Sequence, residues 1–491
     1  MKYQPKVFDC AIIGSGLGGL IAANGLVKEN RSVLLLKEKN YHPSYIREGY
    51  RFLPFSNFSE RRIQTALLNR IYRTLGIPFP AHPQEESGPP ETKLKNPEPG
   101  VDFQVILPTV RIDLYRERSL LQKEWKREFP REFTQVENFY AELDQQNQIL
   151  KALKNKEPME SLFPVRPGSF FKRWFPFERL PEWKMGEKLP NGSFELQKFI
   201  QLQTTSIGNL VSDSLPLSLV SHLLLPDEEY EGGKYIDLEI VIENLFKEFL
   251  ESGGRVESIE GVKKMERRRR EGFILSLKGE DIQFRSKSVL FNSPLHSLFS
   301  LLSKRGKVAL KRAGRIGPQY VIVPIFLGIR EKVVPVGMRD LLVSLQDIEK
   351  PYERGNLLLI GLSGRGDETQ APEGWRALIA QGFIPFGKVD PDSLDDLQRG
   401  VMKHLGHLFP FLENHIEFIN REWTDQQISC WSYSHVLYET NRPFQWREGI
   451  VPVRLSNHLY FTGKENFPYL GIEGECLSGL MAGREISKRY G

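Results

Sequence analysis

Residues 7–13, VFDCAII, are apolar at nearly every position and stop at Gly14. A run of that kind predicts a short strand buried on both faces of a sheet. Apolar positions then recur at helical spacing over 20–28, and SVLLL at 32–36 is apolar again. Strand, helix and strand in that order predict one β-α-β unit. Ile63, Leu67, Ile71 and Leu75 draw a helical stripe along 59–75. VDFQVILPTVRIDLY, 101–115, alternates as strands do, and 117–153 reads as helix that must break near Pro130. Leu238, Val241, Ile242, Leu245, Phe246 and Phe249 make a further helical face, which Gly253 and Gly254 end. A strand is expected at RVESI (255–259), two hairpin-like strands after it, and SVLFNSP (288–294) as a strand re-entering a sheet. Residues 295–448 mix strand and helix patterns without a clean period. The chain then shows a strand at HLYFTG (458–463), a loop, and a helix over about 474–488.

Composition changes this picture in few places. At 491 residues the chain is too long for one core, so interleaved domains are expected. A net charge of +5 falls short of a nucleic-acid footprint, and no such partner is expected. The cysteines, Cys10, Cys430 and Cys476, are far apart and form no CxxC pair. That spacing supports neither a disulfide framework nor a zinc site, so no metal is expected, and a reducing cytoplasm is the expected compartment. No apolar leader precedes Val7, and the longest apolar run, YVIVPIFLGI (320–329), is interrupted by Pro324. It is about half of a membrane span, so no transmembrane helix is predicted. Residues 78–100 are rich in Pro, Gly and Glu and read as an exposed, flexible loop.

Chemistry concentrates at the two ends. Gly14, Ser15, Gly16, Leu17, Gly18 and Gly19 write GxGxxG between the first strand and the first helix. The first glycine of such a turn permits its tightness, the second lets backbone approach a pyrophosphate, and the third lets helix and strand pack closely. The helix N-terminus adds N–H donors and a positive dipole end. At 460–486, YFTGKENFPYLGIEGECLSGLMAGREI, a strand ends at Gly463 and a glycine-containing loop opens into a helix. That helix carries Gly474, Ser478, Gly479, Ala482 and Gly483, small enough to lie against a flat, extended ligand.

Together with GYRFLP (49–54), residues 232–256 and SVLFNSP, in that order along nearly the whole chain, these ends resemble a known family. It is the phytoene desaturase and carotenoid isomerase family of FAD-dependent oxidoreductases, part of the amine-oxidase-like flavoproteins. The resemblance implies an α/β architecture: a discontinuous, Rossmann-like FAD-binding domain with an inserted α+β substrate domain. The first would comprise 1–76, 231–295 and 449–491, and the second 77–230 and 296–448. FAD is the implied cofactor. Its pyrophosphate would lie on residues 14–19, its adenine on the backbone of Val256, and its ribityl chain and ring beside Gly463, Gly471, Ile472 and Gly474. The implied reaction is hydride transfer at flavin N5 with an apolar, isoprenoid or polyene substrate.

Two departures stand out. Where the family has an acid that grips the ribose, this chain has Lys37, with Glu38 one residue later. The family likewise has an acid where this chain has Lys464, with Glu465 one residue later. The family's GG-R segment is replaced by NYHPSYIREGYRF, in which Arg47 is the substitute. A one-residue shift turns a side chain to the other face of a strand, although a strand end can rotate. Glu38 therefore stays a candidate for the ribose, and Lys37 for a phosphate. The same departures leave open a non-catalytic lipid- or prenyl-binding carrier, as in the GDP dissociation inhibitors, and an amine oxidase. Trp431, Tyr433 and His435 in CWSYSHVLYE (430–439) are candidates to wall the substrate, with His435 as an acid or base; aromatic packing is the plainer reading. Residues 161–184 interleave Phe and Trp with Arg and Lys. They suit a lid over the substrate or a peripheral contact with the inner face of a membrane.

Overall fold

The computed structural model describes residues 7–39, 45–53, 55, 58, 65–79, 101–155, 192–211, 215, 217–225, 238–268, 272–280, 282–293, 298, 301–302, 316–420, 436–440, 453–467 and 471–490. Residues 161–184, most of the 78–100 loop, and Trp431, Tyr433 and His435 lie outside the described residues.

The predicted β-α-β unit is present as strand Val7–Ile13, helix Leu17–Lys28 and strand Val33–Glu38. Its sheet runs in the order Arg454–Ser456, Leu459–Phe461, Gln283–Phe291, Val7–Ile13, Val33–Glu38 and Arg255–Ile259. The inner pairings are parallel, with Cys10 opposite both Ser288 and Val33. Helices Leu17–Lys28, Leu238–Glu251 and Gly471–Ser487 cover one face, packing on Cys10, Ile12, Val33, Leu35 and Tyr460. The hairpin of strands Val262–Arg268 and Gly272–Leu277 covers the other, where Phe273 and Leu275 meet Ile13, Leu34, Leu36 and Phe291. Burial from both sides explains why these strands are apolar throughout rather than at alternate positions.

One expectation is corrected here. The second of the two hairpin-like strands expected after RVESI and the strand expected at SVLFNSP are one, Gln283–Phe291. Its first half pairs with the hairpin and its second with Leu459–Phe461, while residues 285–291 lie along the first strand. Ser286 and Ser288, at the join, are fully buried, and the Ser286 hydroxyl donates to the Ser288 carbonyl at 2.6 Å.

The second unit is a nine-stranded, mostly antiparallel sheet. Helices Arg118–Glu128, Phe133–Asn155, Phe194–Gly208 and Leu217–Leu224 supply the core on one face, and Pro391–Leu408 covers the other. The helical stretch 117–153 does break around Pro130, because proline cannot donate the bond a continuing helix needs. YVIVPIFLGI lies inside the strand Ile316–Arg330. Strand Val436–Thr440 pairs with 316–321 and Ile416–Ile419 with 327–329, so Pro324 sits between them, where no strand among the described residues pairs on that side. That is where a residue without an N–H is tolerated in a sheet. No helix among the described residues is long and apolar enough to cross a membrane.

Residues 45–53, 55 and 58, within the span 1–76, leave the first unit, and Tyr50, Phe52, Phe55 and Phe58 join the core of the second. Tyr45 stacks on Phe326 at 4.7 Å, and Tyr50 on Phe418 at 6.3 Å. Leu68, Ile71, Tyr72 and Leu75 then return to the helix layer of the first sheet. The Arg51–Glu239 ion pair ties this crossing segment to helix Leu238–Glu251.

Candidate cofactor site

Three parallel strands of the first sheet finish level with one another. Gly14 N donates to Leu36 O at 3.0 Å, Asn292 N to Ile13 O at 2.7 Å, and Thr462 N to Phe291 O at 2.9 Å. The first turn is pressed onto the residues that follow those strands. Gly14 has φ +100°, where glycine alone is comfortable, and a Cβ there would lie 2.0 Å from the Asn292 carbonyl oxygen. Side-chain carbons on Gly16 and Gly19 would meet Asn292 Oδ1 at 2.9 and 2.4 Å, and one on Gly18 would meet Thr462 Oγ1 at 2.5 Å. Gly479 of the last helix lies against Gly18, its Cβ position 2.4 Å from that carbonyl. The glycine pattern read from the sequence is thus a device for bringing both chain ends into backbone contact.

Polar groups line the same place. The Thr462 and Ser478 hydroxyls are 2.6 Å apart, and Gly463 N donates to Asn466 Oδ1 at 2.8 Å. Asn292 donates through Nδ2 to Thr462 O at 3.0 Å, while its Oδ1 is buried without a hydrogen-bond partner. A carboxylate completes the turn: Glu475 Oε1 accepts from Gly18 N–H at 3.3 Å and lies 3.3 Å from the Cβ position of Gly16. A negative side chain at a helix N-terminus is stabilised there by the dipole. Sequence reasoning singled out neither Asn292 nor Glu475. Asn292 was within the quoted SVLFNSP, but Glu475 was concealed among the small residues of GIEGECLSG.

The remaining candidates spread outward. Lys37 and Glu38 diverge, as neighbouring strand residues must. The Lys37 ammonium lies 5.1 Å from the centroid of the Phe246 ring, on the helical face. Burial pushes the Glu38 carboxyl above its ordinary range, and Lys278 pulls it partly back. Val256 lies opposite Leu35 in the parallel pair. Arg47 belongs to the crossing segment, with its guanidinium over the Phe418 ring at 5.7 Å and 3.8 Å from Glu48. Lys464, Glu465 and Asn466 form a 3-10 turn directly after Gly463. Burial first, and the Glu465 charge second, hold the Tyr438 hydroxyl well above its usual range, so this turn faces strand Val436–Thr440 of the second unit. Gly471 and Ile472 fall in the expected loop before the helix, but helix Gly471–Ser487 already contains them along with Gly474. Glycine in a first turn is cheap, because the N–H groups there have no intrahelical partner to lose. Cys10 is inert, its thiol pushed up to about 12 by burial. No group of three or more His, Cys, Asp or Glu among the described residues could hold a metal.

Sterically this frame fits the diphosphate of a dinucleotide: a glycine turn without side chains, a helix N-terminus, and a second helix brought alongside. Its charge fits less well, since Glu475 presents an acceptor to the donors a diphosphate needs.

No family model matches the chain. In sequence it is similar to chloroplastic prolycopene isomerase of Arabidopsis thaliana, 23% identical over 538 residues that take in 99% of this chain and 84% of that protein. In structure it is similar to putrescine oxidase bound to putrescine, with TM-score 0.56, 13% identity and 99% of both chains covered. It is also similar to a Rab GDI from Plasmodium falciparum, with TM-score 0.50, 10% identity and 98% of both chains covered. The chain therefore has the fold that an oxidase and a GDI share, and along nearly all its length it is similar to an isomerase of the kind its motifs resemble.

Proposed function

We propose that this chain is an FAD-dependent oxidoreductase of the desaturase or isomerase type, acting on an apolar, isoprenoid or polyene substrate. The observation that carries the reading is the convergence of both chain ends on one side-chain-free turn, where Gly14, Gly16, Gly18 and Gly19 admit no Cβ. Those glycines and the N-terminus of helix Leu17–Lys28 would hold the diphosphate, and Gly463 with helix Gly471–Ser487 would flank the rest of the cofactor. When bound, the flavin supplies a hydride acceptor or donor. The protein's own part is to position the substrate and exclude water. Similarity to a protein named for prolycopene supports the substrate class.

The test is direct. The purified chain should be yellow, and heat should release FAD identifiable by its mass. Gly16→Val should remove the colour while the fold survives by circular dichroism. A folded chain that takes up no FAD, even when it is supplied in excess, would sink the proposal. One observation favours a second reading, a colourless lipid or prenyl carrier: the Glu475 carboxylate already takes the Gly18 donor. A carrier would stay colourless and instead retain an isoprenoid through gel filtration.

A further inference from the structure

We infer that Glu475 is a gate on the cradle, competing with the cofactor's diphosphate for the N-terminus of helix Leu17–Lys28. The inference rests on the FAD reading above and adds a control to it. Three observations converge. The Glu475 carboxylate accepts from Gly18 N–H at 3.3 Å, a donor in the first turn of the helix. The same oxygen lies 3.3 Å from the Cβ position of Gly16, so it covers the glycine whose bareness lets backbone approach a phosphate. Asn292 is only 8% exposed, and its unpartnered Oδ1 points at Gly16 and Gly19, so a second acceptor faces the same spot.

A carboxylate and a diphosphate cannot share those donors, because like charges at contact repel and each needs the same N–H groups. The first turn of the helix contains no acidic residue of its own, so Glu475 is the carboxylate that caps it. Its side chain has rotatable bonds enough to swing off Gly18. Glu475 then has two effects of opposite sign: it steadies the chain when no dinucleotide is bound, and it weakens dinucleotide binding.

The full-length chain, stripped of flavin, is titrated with FAD as wild type, Glu475→Gln and Glu475→Ala, following flavin fluorescence. Riboflavin, which lacks the diphosphate, is the second probe, and the thermal midpoint without added flavin is the third readout. The expected result is about tenfold or more tighter FAD binding in both variants, equivalent to about 1.4 kcal/mol or more. Riboflavin affinity should be unchanged, and the midpoint should fall by a few degrees. Unchanged FAD affinity overturns the gate, as does weaker binding, which would make Glu475 a cofactor ligand. Equal tightening of FAD and riboflavin also overturns it, since the effect would not act on the diphosphate. All three leave the flavoprotein reading standing. Failure of wild type and both variants to bind FAD at all defeats that reading, and the gate with it.

Discussion

In the first unit, a methyl added to Gly14 would lie 2.0 Å from the Asn292 carbonyl, and one added to Gly479 would lie 2.4 Å from the Gly18 carbonyl. In the second unit, a methyl on Gly328 would lie 2.3 Å from the Tyr50 ring, and one on Gly361 would lie 2.8 Å from Phe55. Both pairs use the missing side chain to let something approach, but Gly14 and Gly479 admit backbone whereas Gly328 and Gly361 admit aromatic rings. A ring can be trimmed by a second substitution, whereas a carbonyl cannot. Gly14 and Gly479 should therefore be intolerant of repair, and Gly328 and Gly361 should accept paired changes.

Gly14→Ala should have the largest effect, about 4 kcal/mol of stability, because it combines a positive φ with a backbone clash. Urea unfolding at constant slope would read it. Adding Asn292→Ala should not restore the loss, since the clash is with the carbonyl. Rescue by that second change would break the comparison.

The second unit also has a backbone approach of the first kind, which sharpens the contrast. A Cβ on Gly400 would lie 2.0 Å from Arg354 O, and His404 lies fully buried on the same helix. His404 Nδ1 is 2.7 Å from Gly355 O, which can only accept, so Nδ1 carries the proton and Nε2 accepts from the Ser344 hydroxyl at 2.8 Å. Burial lowers its pKa from 6.5 to about 4, with the Gly355 bond working against that. The unfolded chain thus binds a proton below pH 6.5 that the folded chain refuses until about pH 4. Stability should be full above that window and fall by about 3 kcal/mol as pH drops through it. His404→Gln should be less stable at neutral pH but should flatten this part of the profile. A wild-type profile that is already flat would remove the buried neutral histidine from the account.

The smallest effect tests the rings. Gly328→Ala should cost about 1–3 kcal/mol as an overpacking change. Combined with Tyr50→Leu, the loss should be less than additive by about 1 kcal/mol, because the shorter side chain yields the space. Strict additivity would mean that the Gly328–Tyr50 contact is not what limits that position.

The first unit was legible because its signals are local. VFDCAII, the glycine turn and SVLLL each announce their structure within a few residues. The break at Pro130 was legible for the same reason. What escaped notice depends on distant partners. The continuity of Gln283–Phe291 was not legible, because nothing nearby shows that Ser286 and Ser288 are both buried in a ladder. Pro324 looked like a breaker because the gap that shelters it is set by strands about a hundred residues further on. Glu475 is the sharpest case: only the fold brings it within 3.3 Å of Gly18, across 457 positions of chain.

That separation has a bearing on how the molecule is made. The first strand needs residues 285–291 as its neighbour, and the first helix needs Gly479 and Gly483 to lie against. A ribosome adding roughly 5–20 residues per second would hold the opening β-α-β segment unfinished for tens of seconds. Its apolar strand edges would stay uncovered until residues 471–487 emerge. Newly made chains should accordingly lean on chaperones late in synthesis, and fragments cut short before that helix should be cleared rather than accumulate.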